Sequence, residues 1–249
     1  MREMNRDIPH KLMVYLMEAL GLAIFMTSAC FFGGMLESLD SSWHIALPNP
    51  SIRLIIMGVM MGLTALFIFY SPFTAPSGSQ INPAVTLAFL RVNKINKLDA
   101  CFYILFQFAG GTIAVYAMAS IMQHTLTNPP VNYVTTVPSI SANSFTVFIT
   151  EYTTAFIMMI MVLFTSAHPV WKNYTKPIAA CLVTTYVIIA GPISGFGMNP
   201  ARTFASALPA HIWTDFWIYV IAPISGMLCA AEYYVWRNVT RNAVPSPNV

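Results

Sequence analysis

The sequence predicts an all-α membrane protein in which six transmembrane helices and two re-entrant half-helices form an inverted repeat. Three observations predict it. Of the 249 residues, 57% are hydrophobic and 8% are charged, where a soluble domain carries about 25% charge. Six long stretches hold few or no charges, and each is long enough to cross a hydrocarbon core about 30 Å thick. The tripeptide Asn-Pro-Ala occurs twice, at Asn82-Pro83-Ala84 and Asn199-Pro200-Ala201. Each opens an apolar run of about eight residues, too short for a spanning helix.

The first stretch, near 12–36, starts too late and runs too long for a secretion signal, and it lacks a small-residue cleavage site, so it is expected to stay as a span. The others lie near 54–72, 100–122, 145–167, 177–196 and 216–235. Basic residues give the orientation. Arg2, Arg6 and Lys11 precede span one; Arg91, Lys94 and Lys97 lie between spans two and three; Lys172 and Lys176 join four to five; Arg237 and Arg241 follow six. All of these segments fall on one side, which the positive-inside rule makes cytoplasmic together with both termini. The opposite loops hold Glu37, Asp40 and Asp215, with Arg53 at a span edge and Arg202 beside the second Asn-Pro-Ala. The tryptophans Trp43, Trp171, Trp213, Trp217 and Trp236 sit at span ends as interface anchors.

The order of features repeats. Glu18 in span one matches Glu151 in span four, and an Asn-Pro-Ala follows span two and span five. Tyr103 in span three and Tyr219 in span six are each followed seven residues on by a glycine, Gly110 and Gly226. Three spans per half is an odd number, so the second copy enters the membrane upside down. The halves are expected at 1–125 and 144–249. The polar, proline-containing stretch between them, 126–143, reads as an extracellular linker.

Asparagine is among the best N-caps and proline is favoured at the first helical position, so both motifs read as helix starts. About eight residues rise roughly 12 Å, so each helix dips less than halfway into the bilayer. The loops before them lie on opposite faces, and the two Asn ends are expected to meet near the midplane. Non-helical backbone at that depth needs protein around it or water beside it, which implies a pore. Each helix N-terminus carries about half a positive charge, which disfavours cations, and each Asn cap keeps amide N–H to offer a permeant.

The doubled motif, "SGSQINPAVT" and "GFGMNPAR", resembles the major intrinsic protein family of aquaporins and glycerol facilitators, and the resemblance covers nearly the whole chain. It implies a homotetramer with one pore per subunit. It makes Arg202 the cationic donor of an extracellular selectivity filter, with Phe196 and Val187 on the same constriction and Met61 or Gly62 as its fourth wall. It also makes Glu18 and Glu151 the braces of the two re-entrant loops; a proton relay is the competing reading of intramembrane carboxylates. Water-selective relatives usually carry His where Val187 stands. Phe196 beside Arg202 is similar to glycerol facilitators, whereas Thr203 stands where that branch typically has Asp. Water and glycerol therefore both remain as permeants.

The function expected is a passive channel for water and small uncharged solutes, in an integral and plasma-membrane setting. The alternative is a secondary transporter, which would need an ion site and a substrate site at the midplane. An enzyme is disfavoured because no His, Cys or carboxylate cluster has nucleophilic, acid–base or metal-ligand spacing. No metal, cofactor or nucleic acid is expected, and the partners are lipid, a second copy of the chain and the permeants. Cys30, Cys101, Cys181 and Cys229 lack paired spacing and read as spectators.

Overall fold

The computed structural model describes residues 4–243, with side-chain surroundings from 10 to 240. Arg2 lies outside the described residues, as do the side chains of Arg6 and Arg241. Eight helices carry the architecture: α1 (Met4–Glu37), α2 (Pro50–Tyr70), α3 (Pro83–Arg91), α4 (Lys97–Met122), α5 (Ser144–Ala167), α6 (Thr175–Ser194), α7 (Pro200–Ala210) and α8 (Phe216–Ala243). Six are long and apolar enough to cross a membrane; α3 and α7, at 9 and 11 residues, are not. No strand occurs among the described residues.

Asparagine starts these helices repeatedly. Asn49, Asn82, Asn96, Asn143 and Asn199 are the N-caps of α2, α3, α4, α5 and α7, and each side-chain oxygen accepts a backbone N–H of the first turn. Replacing such a cap by alanine costs about 1 kcal/mol. The fifth span ends two residues earlier than its apolar run, because Gly195 takes a left-handed conformation (φ 76°) and its N–H returns to Gly191 O. The second half-helix outlasts its expected eight residues and stops at His211, also left-handed.

Packing follows the internal repeat. Helix α1 pairs with α4 and α5 pairs with α8, while α2 and α6 pair across the halves. Glycine permits the closest approaches. A Cβ on Gly110 would lie 2.1 Å from Ala19 O, and one on Gly226 would lie 2.4 Å from Tyr152 O. The half-helices cross over: α3 packs on α8 of the second half, and α7 packs on α4 of the first.

Charges sit at the ends. At one end Lys11 lies 3.5 Å from Asp99, Arg91 makes a two-point ion pair with Glu232, and Lys176 Nζ donates to Phe69 O at 2.6 Å. Lys94 there donates to Ser166 Oγ, and burial holds its ammonium below the usual lysine range. At the other end, buried Arg53 forks onto both oxygens of Glu37 at 3.1 Å and donates to Leu47 O and Pro48 O. This accounts for a basic residue on that side: its charge is already partnered.

The segment between the halves is more structured than its aperiodic sequence suggests. It contains a helical turn at His124–Thr127, which begins before the linker, and a left-handed turn through Asn132, Tyr133 and Val134 at φ 45°, 58° and 52°. It docks on the second half, with Thr135 Oγ1 donating to Ser206 O and Ser139 N to Ile193 O.

Candidate functional site

The site is built from the two loops that lead into α3 and α7. Both are strained in the same way. In the first, Gly78, Ser79 and Ile81 have φ of 90°, 49° and 45°; in the second, Gly195, Phe196 and Met198 have φ of 76°, 49° and 47°. Non-glycine residues in this region cost on the order of 1–3 kcal/mol each and persist only where surroundings hold them.

Two buried carboxylates hold these loops. Glu18 Oε1 accepts Ser77 Oγ at 2.6 Å and Gln80 N at 2.9 Å, and its Oε2 accepts Ile81 N at 2.6 Å. Glu151 repeats the pattern: Oε1 accepts Ser194 Oγ at 2.6 Å and Gly197 N at 2.9 Å, and Oε2 accepts Met198 N at 2.5 Å. Both side chains are wholly buried. Hydrogen bonds to a carboxylate contribute about 1.5–3 kcal/mol each, enough to offset the backbone strain. Neither carboxylate is on the wall of the cavity described below.

Beyond the loops the two helix tips meet. Asn82 Nδ2 donates to Met198 O at 2.9 Å, and Asn199 Nδ2 donates to Ile81 O at 2.7 Å. The same side chains cap their own helices, Asn82 Oδ1 accepting Ala84 N and Asn199 Oδ1 accepting Ala201 N and Arg202 N. Each cap thus spends its oxygen on its own helix and one amide hydrogen on the opposite loop. Pro83, Ala84, Pro200 and Ala201 are buried behind the tips.

A cavity of about 390 Å³ runs past this junction. Its wall includes Asn82, Asn199, Arg202, the loop stretches 78–82 and 195–199, and otherwise mostly apolar side chains. Phe196, Val187 and Met61 share this wall with Arg202. Gly62 is not among them: a Cβ there would meet Thr184 Oγ1 of α6, so this glycine serves helix packing. The register of α2 is the reason, since neighbouring helical positions face about 100° apart. Phe196 is propped by Tyr186, with ring centroids 5.7 Å apart. Among the described residues the Arg202 guanidinium makes no hydrogen bond, and its Nη1 is buried without a partner.

Four supporting residues were not singled out for the site by sequence. Ser77 and Ser194 tie each loop to its carboxylate, and Tyr103 and Tyr219 donate to Ser77 O at 2.9 Å and Ser194 O at 2.5 Å. The signal was present: Ser-Gly stands five and four residues before both motif asparagines, and the two tyrosines hold matching places in the third span of each half. Gln107 is a fifth. Its Nε2 links Glu18 Oε2 at 2.8 Å to Thr86 Oγ1 at 3.1 Å. Counting from the matching tyrosines, its counterpart is Pro223, and Thr203, the counterpart of Thr86, has a buried hydroxyl with no partner.

The chain matches the family described as Major intrinsic protein over residues 10–234. It is 33% identical to Probable aquaporin NIP-type of Nicotiana alata over 64% of this chain and 57% of that protein. It is 28% identical to Probable aquaporin NIP7-1 of Arabidopsis thaliana over 95% of this chain and 80% of that one. The match spans less than two thirds of the length of several curated relatives. The solved aquaglyceroporin of Plasmodium falciparum superposes with a TM-score of 0.72 at 17% identity, covering 90% of this chain and 95% of that one, a likeness of fold. With the family matched across nearly its whole length and the fold in agreement, this integral membrane chain belongs to the major intrinsic protein family.

Proposed function

We propose that the chain is a passive channel for water and small uncharged solutes such as glycerol, closed to protons and ions. The observation that carries this is the reciprocal Asn junction on the wall of a continuous cavity. Each asparagine has one amide hydrogen tied to the opposite loop and a second free for a permeant. Each also heads a helix whose N-terminus carries about half a positive charge. A permeant oxygen accepts hydrogen bonds there, whereas a cation meets two aligned dipoles and the Arg202 guanidinium.

We assign the selectivity filter to Arg202, Phe196, Val187 and Met61, the four candidates that share the cavity wall. One charged donor facing apolar neighbours suits a solute with hydroxyls on one side and carbon on the other. The bracing role of Glu18 and Glu151 is supported by their spent oxygens. A coupled carrier, the alternative, would need anionic ligands for its ion, and among the described residues no carboxylate is on the wall.

On the same reading the halves 1–125 and 144–249 are inverted repeats joined by an extracellular linker at 126–143. Both termini are cytoplasmic, supported by the basic residues at one end of the bundle. The membrane is the plasma membrane, and four copies assemble with one pore each, as the family resemblance implies. The relatives named aquaporin and aquaglyceroporin support this class of permeants.

The test is osmotic. Proteoliposomes are expected to shrink faster than empty vesicles under an impermeant osmolyte without losing an imposed proton gradient. Unchanged shrinkage by correctly inserted protein removes the channel reading. Native mass spectrometry in mild detergent checks the tetramer.

A further inference from the structure

The cavity wall is rich in thioethers. Of the sixteen methionines, Met57, Met61, Met158 and Met198 line it. Met57 and Met61 are one turn apart on one face of α2, Met158 comes from α5, and Met198 directly precedes the second motif asparagine. Met61, Met158 and Met198 are only 2%, 5% and 9% exposed. The thiols are elsewhere: Cys30 is buried, Cys101, Cys181 and Cys229 are on the outside of the bundle, and none is on the wall. Sulfur that meets a permeant in this lumen is therefore thioether sulfur. The same wall holds Arg202, whose buried Nη1 has no acceptor among the described residues.

We propose that these four methionines are a modification site for hydrogen peroxide, and that their oxidation lowers the permeability of the pore. The proposal rests on the channel reading, because an aqueous oxidant reaches these sulfurs only through a wet lumen. Peroxide is small, neutral and hydroxylic, the chemistry the Asn junction accepts. A methionine sulfur lone pair attacks one peroxide oxygen, the O–O bond breaks, and a proton passes to the departing oxygen, which leaves as water. The sulfur is oxidised by two electrons to a sulfoxide and the peroxide is reduced to water. An apolar, flexible wall side chain thereby becomes a polar one with a strong acceptor oxygen. That oxygen faces a lumen that holds strong donors, the two asparagine amides and Arg202. Wall and donors then bind each other across the path that the permeant uses.

The experiment uses full-length protein in proteoliposomes treated with graded hydrogen peroxide. Water flux is measured by light scattering, and oxygen added to each methionine is mapped by peptide mass spectrometry. Expected is oxidation of Met57, Met61, Met158 and Met198 as the dose rises. Flux should fall at least about threefold as these sulfoxides form. A variant with all four changed to leucine, compared with its own untreated rate, should lose no flux at the same dose. Oxidised lumen methionines with undiminished flux would overturn the proposal, as would unmodified lumen methionines in a conducting protein or an equal loss in the leucine variant. Absence of flux before treatment would instead defeat the channel reading, and this proposal with it.

Discussion

The two loop carboxylates look equivalent, yet their neutral variants are expected to differ, and the reason is Gln107. In Glu151→Gln one carboxylate oxygen becomes an NH₂ group. Placed at Oε2, it faces Met198 N–H, so a charge-assisted bond of about 1.5–3 kcal/mol is lost and a buried donor is stranded. The corresponding position in α8 is Pro223, which has no side-chain group to offer. Glu18→Gln meets the same problem at Ile81 N–H, and its new NH₂ also faces the Gln107 Nε2 that donates to Glu18 in the native chain. Turning the Gln107 amide over restores only a neutral bond and moves its NH₂ to where Oε1 is buried without a partner. A charge-assisted bond of about 1.5–3 kcal/mol is thus exchanged for one of about 0.5–1.5 kcal/mol. Glu18→Gln should therefore be the more damaging by about 1 kcal/mol, a few degrees in thermal midpoint for a chain of this size. The assay is thermal unfolding of both purified variants in one detergent, with proteoliposome water flux per inserted protein as a second reading. Equal losses, or a greater loss in Glu151→Gln, would refute the role given to Gln107.

Replacing Phe196 and Val187 by alanine should raise glycerol uptake more than water flux, measured in one vesicle preparation; equal changes would place the constriction elsewhere. Gly226→Val brings side-chain atoms onto Tyr152 O, where even a Cβ lies 2.4 Å away. It should destabilise by about 3 kcal/mol or more and deplete folded protein in fluorescence-detected size exclusion. Asn199→Leu removes both the α7 cap and the tie to Ile81 O, so flux should fall strongly while membrane insertion, read by carbonate extraction, persists. Arg53→Met should leave flux near its normal level but speed proteolysis of the loop between α1 and α2, because the arginine clamps Leu47 O, Pro48 O and Glu37. Unchanged cleavage would show that the clamp is dispensable.

The spans were legible because lipid demands long apolar runs, and the half-helices were legible because Asn-Pro is a local start signal whose following run was too short to cross. End points shifted wherever a local conformation overrode hydropathy, as at Gly195. The site was legible to the extent that it is written locally. Arg202, Phe196 and Val187 could be counted along the chain from the second motif. Met61 and Gly62 could not be separated, since one residue of register in α2 decides which faces the cavity and only the packing of Gly62 on Thr184 fixes it. The order in the linker was hidden too, because its partners are Ile193 and Ser206, far away in sequence. Gln107 lay inside an apolar span with no local mark of its link to Glu18, a contact 89 residues apart.

The crossed ties at the two asparagines carry a biosynthetic consequence. Asn82 is synthesised 116 residues before Met198, whose carbonyl completes its bonding. A ribosome that has finished only the first three spans therefore leaves α3 without its counterpart and without α8, the helix it packs against. The junction at the two asparagines can therefore form only after both halves are in the bilayer.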